Sequence, residues 1–395
     1  MRGRKRAGGR RLEGAGAGGQ GKDRLAMVQT DIILNALQRK CPDVEYEIIT
    51  MSKIIDKLQD VPVKVGETTV FIKKLEIALL QNEVDIVIHS LKDLPAKLPD
   101  GLVVACVYER DSPYDAVAMN RENKDLVLKD LPAGSVIGTS SLRRVAQISR
   151  KYPHLKFENI RGNLNTRFEK LDGDGIYAAI ILAESGLLRM NMENRITERL
   201  AGDVCMHAVC QGALAVECRE DDENIIKLLS VIHDRNTTLQ CIAERSFIKQ
   251  LDCGYKVPVS VLTTVKDEKV IRLVLVYNMS FMPIQITLHG EVSSTDGKNF
   301  IKKSITKSFV EDETSELNPQ KLSYNDPRKE YLGISPPPQV SHKSLLAAEN
   351  AGIQLASNII NDTDGDEILR TAKNETEAYV RSEKLKKYQL STKSP

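Results

Sequence analysis

The sequence lacks the features that mark membrane and secreted proteins. No apolar run approaches the roughly 18 residues that a helix needs to cross a bilayer, and no charged segment followed by an apolar stretch resembles a signal peptide. The seven cysteines are an odd number, and they are scattered through apolar segments, not placed at the spacings of a disulfide framework. We therefore expect reduced thiols, a cytoplasmic location and no membrane partner.

Motifs for nucleotide chemistry, serine hydrolysis and metal binding are also missing. The sequence contains no glycine-rich nucleotide fingerprint of the required form, and no Ser, His and Asp arrangement can be placed. Cys205, His207, Cys210 and Cys218 come nearest to a zinc site, but their spacing matches no standard ligand pattern. The net charge of +2 names no partner. We expect no bound metal and no nucleic-acid partner.

The first 22 residues are rich in Arg and Gly and have almost no apolar side chains. Because such a segment cannot bury enough surface to offset the entropy of ordering its backbone, we expect it to be a disordered tail. The alternatives are an organelle presequence, which would need an apolar helical face, and an RNA-binding tail on a globular body, which deletion of residues 1–22 tests.

The apolar pattern from Leu25 onward predicts alternating helices and strands. Leu25, Val28, Ile32 and Ala36 lie on one helical stripe, and short apolar runs at 45–50 and 84–89 indicate strands. The block from Asp111 to Cys210 repeats this alternation, which is typical of parallel sheets. After Lys256 the period shifts towards two, which predicts antiparallel strands.

The sequence thus predicts an α/β protein with four parts. They are a disordered tail (1–22), a first α/β domain (23–110 and 211–234), a second α/β domain (111–210) and a small α+β domain (235–395) with an insertion at about 303–342.

Three polar motifs follow predicted strands. In Gly138–Arg144 the helix would be capped by Thr139 or Ser140, and two arginines fall in its first turn, where the helix dipole disfavours cations. Such a violation suggests bound anions. Arg161–Arg167 repeats the arrangement with Asn163 as a cap, and Arg189 follows a small turn at 185–186. Guanidinium groups suit carboxylates, so a ligand with several carboxylates is expected.

The third motif, His89–Pro95, places Lys92 and Asp93 at the end of a buried strand. Ligands of parallel sheets bind outside the carboxyl ends of the strands. An acid in that position could act as a general acid or base, or stabilise a cation. A helix-capping role for Asp93 is the alternative.

Together these motifs, with 25–31, 211–214, 242–245 and 257–259, resemble the porphobilinogen deaminase (hydroxymethylbilane synthase) family over about residues 22–380. The resemblance implies two domains of periplasmic-binding-protein type II and a third domain with an antiparallel sheet, and we expect the protein to be a monomer. It also implies an enzyme of tetrapyrrole (heme) synthesis that condenses four porphobilinogen molecules into hydroxymethylbilane with release of ammonia. Its cofactor would be a covalent dipyrromethane.

The resemblance also assigns roles to residues. Asp93 would stabilise positive charge on the pyrroles as the amino group leaves. The residues that would hold the acidic side chains of cofactor and substrate are Gln29, Ser90, Lys92, Thr139, Ser140, Ser141, Arg143, Arg144, Arg161, Arg167, Arg189 and Gln211. The segment from Ser52 to Val70 resembles the family's lid.

Two features depart from the family pattern. Tyr255 stands where the family has its cofactor-bearing cysteine, and Cys253, two residues earlier, is the substitute attachment site that we predict. The strand that should precede Lys22 is replaced by a glycine-rich tract, so we expect it to be missing. The alternative function is therefore an impaired family member that binds pyrrole carboxylates without a covalent cofactor.

Overall fold

The structure is a computed structural model that describes residues 10–14, 24–50, 70–254, 257–267, 283–310 and 330–391. Within these ranges every helix is too short or too polar to span a bilayer. Tyr255 and nearly all of the predicted lid lie outside the described residues.

The first unit is built on a five-stranded sheet of order β2-β1-β3-β10-β4. Strands β1, β2 and β3 are mutually parallel, whereas β10 runs antiparallel to both of its neighbours. Apolar side chains pack on both faces of the sheet. The elements are β1 (Arg10–Gly14), α1 (Arg24–Lys40), β2 (Tyr46–Thr50), α2 (Val70–Leu80), β3 (Ile86–Ser90), β4 (Leu102–Val107), β10 (Leu214–Arg219) and α6 (Glu223–Ser230).

The prediction that no strand precedes Lys22 is wrong. Arg10–Gly14 forms β1, which lies between β2 and β3 and pairs with both of them. A parallel ladder requires backbone donors and acceptors, and two ladders satisfy those of this short segment. The strand was missed because the tract as a whole is rich in glycine, although β1 itself, Arg-Arg-Leu-Glu-Gly, has glycine only at its last position.

The second unit repeats this plan with strand order β7-β6-β8-β5-β9. Strand β6 is parallel to β7 and β8, while β5 is antiparallel to β8 and β9. The predicted parallel sheets are therefore correct for three strands in each unit and wrong for β5 and β10. The elements are β5 (Asp115–Met119), β6 (Val136–Gly138), α3 (Leu142–Lys151), β7 (Lys156–Glu158), α4 (Leu164–Gly173), β8 (Ala179–Ala183), α5 (Glu184–Arg189) and β9 (Glu198–Leu200).

The antiparallel strands mark the two places where the chain crosses between the units. It leaves the first unit after β4 to begin β5, and it returns after β9 to form β10. Asp111, Asp115, Gln211 and Gly212 lie at or beside these crossings.

The third unit contains the antiparallel sheet that the period-two pattern predicts, in the order β11-β12-β13. Two long helices, α7 and α8, share one apolar cluster with its inner face. The fold class is thereby confirmed as α/β, with two units built on mixed five-stranded sheets and a third unit with an antiparallel sheet. The elements are α7 (Arg235–Leu251), β11 (Val259–Asp267), β12 (Pro283–Ser293), β13 (Phe300–Val310), α8 (His342–Ile360) and α9 (Gly365–Ser391).

The insertion predicted at about 303–342 is wrong at both ends. Residues 303–310 belong to β13, whose ladder with β12 runs to Val310. At the other end, Tyr331 is 1% exposed, and the Val104 N–H donates to the Gly333 carbonyl at 2.8 Å. The proline-rich composition suggested a solvated loop, but this stretch adds to the edge of the first sheet. Residues 311–329 lie outside the described part of the chain.

Candidate anion-binding site

The turn that carries Asp93 is held by the two central strands of the first sheet. Residues 91–93 form one 3-10 turn directly after β3, and the buried Leu91 donates its N–H to the Ala213 carbonyl at 3.0 Å. Lys92 is half-buried and Asp93 is exposed. The turn therefore presents an ammonium and a carboxylate at the carboxyl end of β3.

A side chain of the third unit forms hydrogen bonds with the backbone that follows this turn. Arg245 of α7 is fully buried, and its guanidinium donates to the carbonyls of Leu94 at 2.9 Å and of Leu332 at 2.9–3.0 Å. These hydrogen bonds tie the backbone just after Asp93 to α7 and to the segment around Leu332.

Arg143 and Arg144 do lie in the first turn of a helix, but a protein carboxylate neutralises them. Both guanidinium groups lie 2.7 Å from Asp115, which is fully buried. Burial alone would raise the pKa of Asp115, yet the two arginines outweigh it and hold this pKa well below its usual range. Arg143 also donates to the Met206 carbonyl at 2.6 Å, and Arg144 to the Ile181 carbonyl at 2.8 Å. The anion that the sequence predicts at this position is therefore the Asp115 carboxylate, a side chain of the protein itself.

The cap of this helix differs from the predicted one. Ser141, not Thr139 or Ser140, is the N-cap, and its side chain accepts from the Arg144 N–H. The Thr139 hydroxyl accepts from the Ser141 N–H at 3.3 Å, and the Ser140 hydroxyl donates to the Ile160 carbonyl at 2.8 Å. All three residues thus shape the β6–α3 connection.

The Arg161–Arg167 motif keeps its predicted cap but has less internal neutralisation. Asn163 accepts from the Thr166 N–H at 2.9 Å. Arg167, half-buried, donates to the Gly162 carbonyl at 2.9 Å. Arg161 is 66% exposed and lies 3.3 Å from Glu383 of α9.

Two cations in this region are electrostatically unfavourable in the protein alone. Burial lowers the pKa of Arg167, and the neighbouring charges of Arg144 and Arg161 lower it further. Burial also lowers the pKa of Lys92; Arg144 and Arg143 add to this effect, while Asp93 and Asp115 oppose it. These interactions link the turn at 91–93 in the first unit to the arginines of the second. A bound anion would relieve the repulsion.

Gln211 and Arg189 connect the site to the crossings between the units. The Gln211 amide donates to Asp115 at 2.9 Å, and its oxygen is 3.5 Å from the Lys92 ammonium. Arg189 lies 2.7 Å from both Asp111 and the Gly212 carbonyl. At Gly212, with φ of +92°, a Cβ would lie 2.5 Å from the Asp111 carbonyl, so only glycine fits. The predicted turn at 185–186 is part of α5.

The remaining predicted residues divide into two groups. Gln29 of α1 donates to the Ser90 hydroxyl at 2.9 Å, at the base of the turn. Cys253, in contrast, packs against the apolar cluster of the third unit. Burial raises the pKa of its thiol to about 12, and the charges that modify this pKa are those of Lys373 and Asp252. Cys253 is therefore placed with the third unit and not with the cations.

Sequence reasoning missed the acids that organise the cations. Asp115 is the first residue of β5, whose other residues are all apolar, and a charged residue in that position could have been recognised as the partner of a buried cation. Arg110, beside the first crossing, and Glu244 of α7 form a buried ion pair at 2.7 Å. No local sequence pattern predicts this pair. Among the described residues no group of three or more His, Cys, Asp or Glu could hold a metal ion.

Comparison with known proteins gives consistent matches. Residues 19–227 match the family model described as porphobilinogen deaminase, dipyromethane cofactor binding domain, and residues 238–324 match the porphobilinogen deaminase C-terminal domain. The chain is 44% identical over 289 residues to the porphobilinogen deaminase of Synechococcus elongatus, covering 73% of this chain and 85% of that protein. A Nostoc porphobilinogen deaminase is 43% identical, with 73% and 84% covered.

A solved ancestral arginine-binding protein bound to arginine is also similar, with a TM-score of 0.31 and 15% identity over 56% of this chain and 89% of that one. So low a score supports no conclusion.

Proposed function

Because the chain belongs to the porphobilinogen deaminase family, we propose that it is an enzyme of tetrapyrrole synthesis that condenses four porphobilinogen molecules head to tail. The product is hydroxymethylbilane, and ammonia is released at each condensation. The family matches favour this activity over an impaired binding protein.

The observation that carries the proposal is the pair of cations, Lys92 and Arg167, whose pKa values are lowered by burial and by neighbouring arginines. A ligand that brings carboxylates to both would restore favourable charge pairing. Porphobilinogen has two acidic side chains, and a growing pyrrole chain has many. Bidentate guanidinium pairs and an ammonium suit these groups well.

In this proposal Lys92, Arg161 and Arg167 contact the ligand carboxylates, with Ser90 and Gln29 at the base of the turn. Arg143, Arg144 and Gln211 act through Asp115, which holds them in a fixed arrangement around the cleft. Thr139, Ser140 and Ser141 shape the loop before α3, and Arg189 sets the crossing at Gly212.

Asp93 is the catalytic residue. Its exposed carboxylate is carried by a turn that two units fasten, so it needs little reorganisation to face positive charge. Such a carboxylate stabilises the cation that develops as the amino group leaves, and it can hold the proton that is transferred.

The cofactor of the family is dipyrromethane, which supplies the primer to which substrate units are joined. The cations fit its acidic side chains. The anchor fits less well, because the Cys253 thiol has a pKa of about 12 and packs against the third unit's core. A thiol becomes a good nucleophile only as a thiolate, so attachment at Cys253 requires this loop to move. Intact-mass measurement of the purified protein shows whether a covalent group is present, and Cys253→Ser removes it if Cys253 is the anchor.

The protein functions as a monomer in the cytoplasm in this proposal. All seven cysteines are free, as expected in a reducing compartment. Light scattering of the purified chain measures its mass directly, and fractionation measures its location.

The proposed activity is tested by incubating the purified protein with porphobilinogen and following substrate loss with Ehrlich's reagent together with ammonia release. We expect both to occur in equal amounts. Substrate that stays unchanged at high protein concentration would contradict the proposal.

A further inference from the structure

The last helix of the chain reaches the site. Helix α9 spans Gly365–Ser391, and both matched family ranges end before it, at residues 227 and 324. The Tyr379 hydroxyl donates to the Asn159 side-chain oxygen at 2.9 Å, and the Asn159 amide donates to the Glu383 carboxylate at 3.2 Å. Tyr379 and Glu383 are four residues apart and so share one helix face. That face is docked on the loop after β7.

The same Glu383 oxygen contacts a cation of the site. It lies 3.3 Å from a terminal nitrogen of Arg161. The charge of Arg161 in turn lowers the pKa of the neighbouring Arg167. Glu383 is 21% exposed and Arg161 is 66% exposed. Asn159 therefore holds a carboxylate of the chain itself against an arginine that otherwise faces solvent.

This pair differs from the buried pairs around it. Arg143 and Arg144 each contact both Asp115 and a backbone carbonyl, whereas within the described residues the Arg161 guanidinium has one long contact, with Glu383 at 3.3 Å. Exposed ion pairs of this kind are weak because water and salt screen them. A ligand carboxylate that forms two hydrogen bonds with the guanidinium therefore competes more readily with Glu383 for Arg161 than with Asp115 for its two arginines.

We propose that Glu383 is a specificity-determining residue: an internal carboxylate that competes with the acidic side chains of the bound pyrroles for Arg161. This inference rests on the proposed function, in which Arg161 binds ligand carboxylates. Occupation by Glu383 lowers the affinity of that position for single, weakly held acids. It leaves the position open to a ligand that other cations already anchor.

The test is Glu383→Gln in the full-length protein. The amide keeps the size of the side chain and can still accept from Asn159, but it removes the competing charge. We expect the KM for porphobilinogen to fall by about two- to fivefold, with kcat unchanged, which is the range of an exposed ion pair. High salt should reduce this difference. Glu377→Gln is the matched control, because Glu377 is exposed on the same helix and has no ion pair within the described residues, so its KM should stay as in the wild type.

A KM that is unchanged or raised in Glu383→Gln overturns the proposal. Arg161→Ala separates this failure from failure of the proposed function. If Arg161→Ala raises the KM while Glu383→Gln fails to lower it, Arg161 binds ligand and Glu383 does not compete. If neither variant changes the KM, Arg161 has no part in binding. Calorimetric titration with porphobilinogen gives the same comparison as a dissociation constant, independently of turnover.

Discussion

The chain contains the sequence Leu-Lys-Asp-Leu-Pro-Ala twice, and the two copies differ only in their surroundings. One occupies 91–96 in the first unit and the other 128–133 in the second. In both, the first three residues form a 3-10 turn with a buried leucine, and the next leucine donates its N–H back to the first. We call them the first and second LKD turns. Local sequence and local conformation are therefore the same.

The surroundings of the two turns have opposite charge. The second LKD turn donates its first N–H to the Glu198 carboxylate at 3.0 Å, and Lys129 and Asp130 are exposed. The first LKD turn lies beside Arg143 and Arg144, which with burial lower the pKa of Lys92. The first LKD turn therefore differs from the second in the cations gathered around it, and the second turn provides a control for each substitution in the first.

The largest effect is expected from removing the acid that gathers the arginines. Asp115→Asn leaves two buried guanidinium groups without their shared carboxylate, and breaking a buried pair in this way costs about 3–5 kcal/mol. Urea unfolding measures the loss. The control is Asp203→Asn, which breaks an exposed ion pair with Lys151 of α3, the helix that also carries the two arginines. This substitution should lower the free energy of unfolding by less than about 0.5 kcal/mol. Similar losses in the two variants would contradict the assignment of Asp115 as the organiser.

Substitution of the two turn acids should separate the turns most clearly in activity. Asp93→Asn should lower kcat by about 100- to 1000-fold, the range seen when one electrostatic group is removed from a reacting centre. Asp130→Asn should change kcat by less than about twofold, since Asp130 is exposed in the second turn. Initial rates of porphobilinogen loss provide the measurement. Equal rates in the two variants would remove Asp93 from the mechanism.

A smaller effect is expected for the two lysines, and it should appear in binding. Lys92→Met removes a charge-assisted contact with ligand, so we expect the KM to rise by about 10- to 100-fold. Lys129→Met should leave the KM unchanged. A rise confined to kcat would show that Lys92 acts on the reaction and not on carboxylate binding.

The smallest expected effect is a pH dependence of stability that comes from the buried acids near β3, the strand before the first turn. Strand β3 leads into that turn and carries His89, whose ring lies 2.9 Å from the buried Glu217. Burial and the Glu217 charge raise the pKa of the nearby Glu76 from 4.5 to about 7. A raised pKa contributes stability that is present below about pH 4.5 and lost as the pH rises through about 7.

Glu76→Gln should remove this dependence, so the wild-type protein should lose about 1 kcal/mol more than the variant between pH 5 and pH 8, after allowance for solvent screening. Thermal unfolding across this range measures the difference. Parallel pH profiles for the two proteins would show that Glu76 does not titrate there.

Sequence reasoning predicted the periodic parts of the fold and the residue types of the site. The helical stripe ending in Ala36 and the period-two pattern after Lys256 encode their structures locally. It failed where the local structure depends on pairing with segments that are distant in the sequence. Strand β1 depends on two ladders formed by distant segments, and the capping role of Ser141, not of its two neighbours, depends on how β6 meets α3.

The site shows the same limit. Sequence placed arginines and an acid at strand ends, but it could not assign Asp115 to two arginines that are 28 and 29 residues away along the chain. Nor could it distinguish the two LKD turns by their own residues. Only the fold brings one of them to the cations.

The most direct test follows the titration of Lys92 by NMR, with Lys92→Arg to assign its signal. We predict that Lys92 titrates below the ordinary range of a lysine in the free protein, and that porphobilinogen raises the pKa of Lys92. If Lys92 titrates in the ordinary range of a lysine, and porphobilinogen leaves its pKa unchanged, the first turn is not a carboxylate-binding site and the proposed function is contradicted.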